Sequence, residues 1–121
     1  MGVTWRVAVG SGDGHTIDQH FGHCGRFLIY ELEADGTFCR AEARNYEWRG
    51  ASQGGHEETA LQGKAELLAD CSFVLVCQIG PGAKAVLHER GVVAMAIQLP
   101  IEQALGRLIH FLRSGRESIL Q

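Results

Sequence analysis

The sequence predicts a single α/β domain over residues 1–121, a mixed five-stranded sheet flanked by three helices. Three observations predict it. Short runs at Trp5–Gly10, Phe73–Cys77 and Val92–Ile97 are apolar almost throughout, as strands covered on both faces are. Segments with apolar residues at helical spacing precede, separate and follow the last two runs. After the first run come two alternating, β-rich segments joined by turn residues.

The elements follow in order. "WRVAVG" (Trp5–Gly10) is a buried strand stopped by the glycine-spaced loop "GSGDGH". "RFLIYELE" alternates, "ADG" makes a turn and "TFCRAEAR" alternates again, so Arg26–Arg44 form a β-hairpin. "NYEWRGASQGGHEE" is a polar loop of a length that, in a compact domain, often has a function. A helix over Glu57–Ala69 stacks Leu61, Ala65 and Leu68 on one face. "FVLVC" is the second buried strand, "QIGPG" breaks it, and "AKAVLHERG" is a short helix ended by Gly91. "VVAMAI" is the third buried strand. The last helix, over Ile101–Arg113, carries a core stripe of Ile101, Ala104, Leu105, Leu108, Ile109 and Leu112.

Buried strands alternating with amphipathic helices imply parallel pairing through right-handed crossovers. The economical arrangement sets the first strand beside the fourth, with the hairpin on one side and the fifth strand on the other. That is the strand order of ribonuclease-H-like folds. It opens the C-terminal ends of strands one and four on one edge, where open α/β sheets bind ligands. His15, His20, His23, Cys24, His56 and Cys77 are all expected at that rim.

Composition narrows the function. The apolar share of 45% and charged share of 21% are those of a globular domain, and this length buries roughly two-thirds of the unfolded surface. Eleven basic against fourteen acidic residues leave a charge of −3, unlike a nucleic-acid binder, which needs a basic face. No apolar run approaches the ~18 residues of a membrane helix. "MGVTWRVAVG" lacks the pattern of a secretory signal, so a cytoplasmic location with free thiols at Cys24, Cys39, Cys71 and Cys77 is expected. Cys39 and Cys71 are read as small packing residues, and His88 and His110 as surface residues.

The chemistry concentrates in "DQHFGHC", Asp18–Cys24. His and Cys are ligands for borderline and soft metals. His20, His23 and Cys24 stand three and four residues apart, so one helical turn presents them together. "H-x-x-H-C" beside glycines suits an open, exchangeable site better than a closed structural zinc site, which uses tighter paired ligands. In "GPG", Gly80 and Gly82 permit either a tight strand-to-helix turn or the close approach of an anion to free helix N–H groups. No "GK[ST]" follows, so it is not a P-loop. Two-metal nuclease chemistry needs carboxylates on the central strands, and "WRVAVG" and "FVLVC" have none.

"VAVGSGDGHTIDQHFGHCGRFLIYEL", "GGHEE" and "CSFVLVCQIGPGAKAVLHERGVVAM" together resemble the dinitrogenase iron–molybdenum cofactor biosynthesis family, the NifX-type proteins and the C-terminal domains of the NifB type. The resemblance runs from Arg6 to Leu112, and "D-x-H-F-G-H" and "IGPGA" are its most specific parts. It implies a ribonuclease-H-like domain that carries an iron–sulfur cluster or an iron–molybdenum cofactor precursor transiently between nitrogenase-assembly proteins, without catalysis. By position it makes His20 and His23 the leading cluster contacts; Cys24, where many relatives have no thiol, is a third candidate metal ligand on its spacing alone. His56 matches a histidine found in relatives, although "GGHEE" lacks the glycine that follows it there. His56, Gly80 and Gly82 complete the expected cofactor-binding set. The competing reading is a metal-independent interaction module of the same fold.

Overall fold

The computed structural model describes the backbone of residues 5–46 and 56–120, and the side chains of residues 5–46 and 60–113. Its strands are β1 (Trp5–Gly10), β2 (Arg26–Leu32), β3 (Phe38–Asn45), β4 (Phe73–Val76) and β5 (Val93–Ala96). Its helices are α1 (His56–Leu67), α2 (Pro81–Glu89) and α3 (Ile101–Leu120), and a short 3-10 turn occupies Phe21–His23. The sheet order is β3-β2-β1-β4-β5, as the sequence predicts. β1 pairs antiparallel with β2, and β2 with β3, while β4 runs parallel to both β1 and β5.

Alternation within the strands divides the core into two layers. Ala8, Phe27, Ile29, Val74 and Val76 pack with Leu68 and Leu87 under α1 and α2. Val7, Val9, Leu28, Leu32 and Leu75 face Ile101, Leu105 and Leu108 of α3. Helices thus cover both faces, which explains why β1 and β4 read as continuous apolar runs. The hairpin turn is closed by Gly36, at φ 97°, whose N–H reaches the Glu33 carbonyl at 3.0 Å.

Four expectations are corrected. α2 begins at Pro81, not Ala83, because proline is preorganised for the first helical position and Gly80 serves as its N-cap. α3 continues beyond Arg113 to Leu120. β5 is only partly buried, with Val93 46% exposed, because it is an edge strand with a neighbour on one side only. Cys39 is exposed, since it lies on the other edge strand, β3, which is largely solvated. Cys71 is buried as expected, and burial pushes its thiol up to about 12.

An ion-pair cluster ties the α1 side of the sheet together. Asp70, just past α1, accepts from Arg44 of β3 at 2.6 and 2.9 Å and from Arg6 of β1 at 3.0 Å. Arg44 also donates to the Leu67 carbonyl at 2.9 Å, capping the end of α1. Arg6 reaches Glu31 of β2 at 3.1 Å, so three strands and one helix share the cluster.

Candidate functional site

The segment after β1 is held at the parallel edge by its own main chain. Asp18 folds back, its carboxylate accepting from the Gly12 N–H at 2.9 Å and from the Gln19 amide at 3.1 Å. Gln19–Phe21 then runs alongside the end of β4. Cys77 N–H donates to the Gln19 carbonyl at 3.0 Å, Phe21 N–H donates to the Gln78 carbonyl at 2.8 Å, and His20 forms a parallel bridge with Gln78. Gly10 makes room beneath: a Cβ there would stand 2.9 Å from Val76 Cγ1 and 3.3 Å from Cys24 Sγ.

The 3-10 turn decides which side chains face out. Residues three apart eclipse one another in a 3-10 helix. His20, at the N-cap, and His23 are three apart, and their rings stack with centroids 6.0 Å apart and planes inclined by 5°. Both are exposed. Cys24, one residue further round, turns inward to 1% exposure and directs its thiol at the Arg26 carbonyl at 3.0 Å. Burial pushes that thiol above its ordinary value, so it stays protonated at neutral pH.

Next to His23 opens a cavity of about 360 Å³, walled by Phe21, Gly22, Lys64 of α1, and Gly80 and Gly82 at the start of α2. Gly80 offers no side-chain cap to α2, so the first N–H groups of that helix keep their hydrogen-bonding capacity. Lys64, only 5% exposed, donates to the carbonyls of Phe21 at 2.9 Å and Gly22 at 3.0 Å. Its ammonium lies 5.5 Å from the Phe21 ring centre and 5.9 Å from that of Tyr46. Tyr46 reaches it by packing on Gly63, where a Cβ would stand 2.7 Å from the phenol ring. Burial lowers the Lys64 pKa.

The rim therefore unites fewer residues than the sequence predicts. His20, His23, Gly80 and Gly82 gather at one end of the α1–α2 face, with Cys24 beneath and Cys77 half-buried at the end of β4. His15 lies elsewhere: its carbonyl accepts from the Ile101 N–H at 2.8 Å, and it borders a different cavity with Tyr30 and Arg40. Ile17, two residues on, is buried in the α3 layer, which keeps His15 on that side. His56 is the first residue of α1, and its side chain, like the whole of Trp48, lies outside the described residues. Lys64 is the component that sequence reading missed. A lone lysine in a polar, amphipathic helix reads as surface, and only its place among Ala65 and Leu68 hints at burial.

As placed, the site does not resemble a mononuclear metal centre. Two nitrogen ligands of one tetrahedral ion lie at most about 4 Å apart, each about 2.0–2.1 Å from the metal. The ring planes are stacked and nearly parallel with centroids 6.0 Å apart, so in-plane lone pairs do not converge on one point. Among the described residues no group of three or more His, Cys, Asp or Glu side chains could hold a metal ion.

Comparison with known proteins locates this architecture. A solved structure, that of PH0822, superposes with a TM-score of 0.65 over 87% of this chain and 88% of its own, at 17% identity, which establishes shared fold. The FeMo cofactor biosynthesis protein NifB of Frankia alni is 32% identical over 104 residues, 84% of this chain and 20% of that protein. Protein NifY of Azotobacter vinelandii is 33% identical over 87 residues, 72% of this chain and 34% of that protein. The chain thus spans about a fifth of the one and a third of the other. The sequence model of the family described as dinitrogenase iron-molybdenum cofactor matches residues 3–110, which contain β1 to α2, both histidines and the α2 start, and the chain belongs to that family.

Proposed function

We propose that this domain binds an iron–sulfur-based metallocluster, the iron–molybdenum cofactor or a precursor of it, and carries it between assembly proteins without transforming it. The observation that carries this reading is the parallel, exposed pair of His20 and His23 beside a cavity that ends on the uncapped start of α2. Two imidazoles set side by side suit two metals of one cluster. The helix start and Lys64 suit the negative charge of a metal–sulfur guest. The relatives, a FeMo cofactor biosynthesis protein among them, support the same pathway.

The side chains divide the work. His20 and His23 offer imidazole nitrogens at the surface, where a guest can arrive and leave. Gly80 and Gly82 keep the α2 entrance free of side chains. Cys24 we assign to packing under the turn, since its thiol is protonated and turned away from the cavity.

The test is anaerobic titration with a synthetic [4Fe–4S] thiolate cluster, followed by absorbance and metal analysis. The parent is expected to bind it. His20→Ala with His23→Ala should weaken binding by about tenfold or more, the scale of lost metal contacts. Because both rings are exposed, the double variant should keep its stability within about 0.5 kcal/mol. Equal binding by parent and variant would overturn the ligand assignment. No binding by either would favour the metal-independent interaction module.

A further inference from the structure

Lys64 has a place that neither packing nor solubility explains. Lysine is among the residues least often buried, and a buried charge is costly unless an opposite charge or good acceptors surround it. No carboxylate among the described residues pairs with this one. Its partners are two main-chain carbonyls from a single turn forty-three and forty-two residues earlier, both within the Phe21–His23 segment. An ammonium has three donors, and these bonds use two. The same side chain lines the cavity beside His23 and the start of α2.

We propose that Lys64 is the positioning and charge-selecting residue of the site. It holds the Phe21–His23 turn in the form that stacks the two imidazoles, and its ammonium makes the cavity take a negatively charged metal–sulfur guest in preference to a bare divalent cation. The second half rests on the carrier reading above; the first does not. The physical argument has two parts. Charge-assisted bonds to the Phe21 and Gly22 carbonyls fix the peptide planes on either side of Gly22, and so the direction in which His23 leaves the chain. A buried positive charge acts through a low dielectric, so it repels a naked cation and attracts an anion far more strongly than a surface lysine does.

The test compares the parent with Lys64→Met, which keeps the stem and removes charge and donors, and Lys64→Arg, which keeps both. Without any ligand, the parent should show ring-to-ring nuclear Overhauser contacts between His20 and His23. These should vanish in Lys64→Met and return in Lys64→Arg. In titrations, Lys64→Met should lose about tenfold or more in affinity for the [4Fe–4S] thiolate cluster, the worth of one or two charge-assisted bonds, while its affinity for Zn²⁺ stays level or rises. Lys64→Met that keeps the ring contacts and binds the cluster as the parent does would overturn the proposal.

If Lys64→Met does not fold, the unmodified protein still decides. The chain has two lysines, Lys64 and the exposed Lys84, so their ammonium signals are separable by NMR. Addition of cluster should move the Lys64 signal, and an unmoved signal at saturation would overturn charge selection. A parent that fails to bind cluster would instead overturn the carrier reading. The ring contacts would then judge positioning alone.

Discussion

Cys24 and His23 are neighbours in sequence with opposite fates, and a single residue's step in a 3-10 turn separates them. His23 eclipses His20 and faces solvent; Cys24 rotates into the core beside Ala8 and Val76. Cys24→Ala should therefore leave cluster affinity unchanged while lowering stability by about 1 kcal/mol, the cost of a small cavity. Thermal denaturation and cluster titration of one variant check both halves. At this scale the sequence was partly legible. "HFGHC" holds residue types able to ligate metal, and its spacing alone allows an α-turn, which would present all three. Only main-chain pairing of Gln19–Phe21 with Cys77–Gln78 selects the tighter turn. Lys64 was illegible because its acceptors are carbonyls, which every residue has.

The elements were more legible than the residues, since hydrophobic period reports directly on burial. β1 and β4 read as buried because helices cover both their faces. β5 has a similar composition yet lies at an edge, and composition cannot tell a central strand from a protected flank. The ion-pair cluster gives the element scale its pH dependence. The Arg44 hydrogen bonds, helped by Arg6, hold the Asp70 carboxyl at about 2, below its ordinary value of 3.8. A depressed folded-state value means that the stabilisation is fully present above the ordinary value and is lost as pH falls through the folded one. Asp70 is 46% exposed, so screening leaves it about 1 kcal/mol. Asp70→Asn should lower stability by that amount at neutral pH and flatten the stability curve between pH 4 and 2. Urea denaturation across that range measures it.

For the whole molecule, strand order follows from the alternation of buried strands and helices, and the observed order and parallel pairing agree with it. The rim was overfilled because it was deduced from strand ends alone: His15 leaves β1 at the correct edge but then crosses to α3. Guest binding should be visible as global stability. A ligand held only by the folded state, at about one hundred times its Kd, adds about 2.7 kcal/mol, or about 10 °C in a domain of this size. A scanning melt with and without the [4Fe–4S] thiolate cluster should show that rise in the parent and lose it in the His20/His23 double alanine.

The parallel bridge between His20 and Gln78 bears on timing. On the carrier reading, a loop hydrogen-bonded to the end of β4 would move with the sheet rather than as a separate gate. Arrival and departure would then be single events, each with one exponential, and the rate of departure would follow the competing affinity of the next protein in line. Handover would be governed by the recipient rather than by a gate.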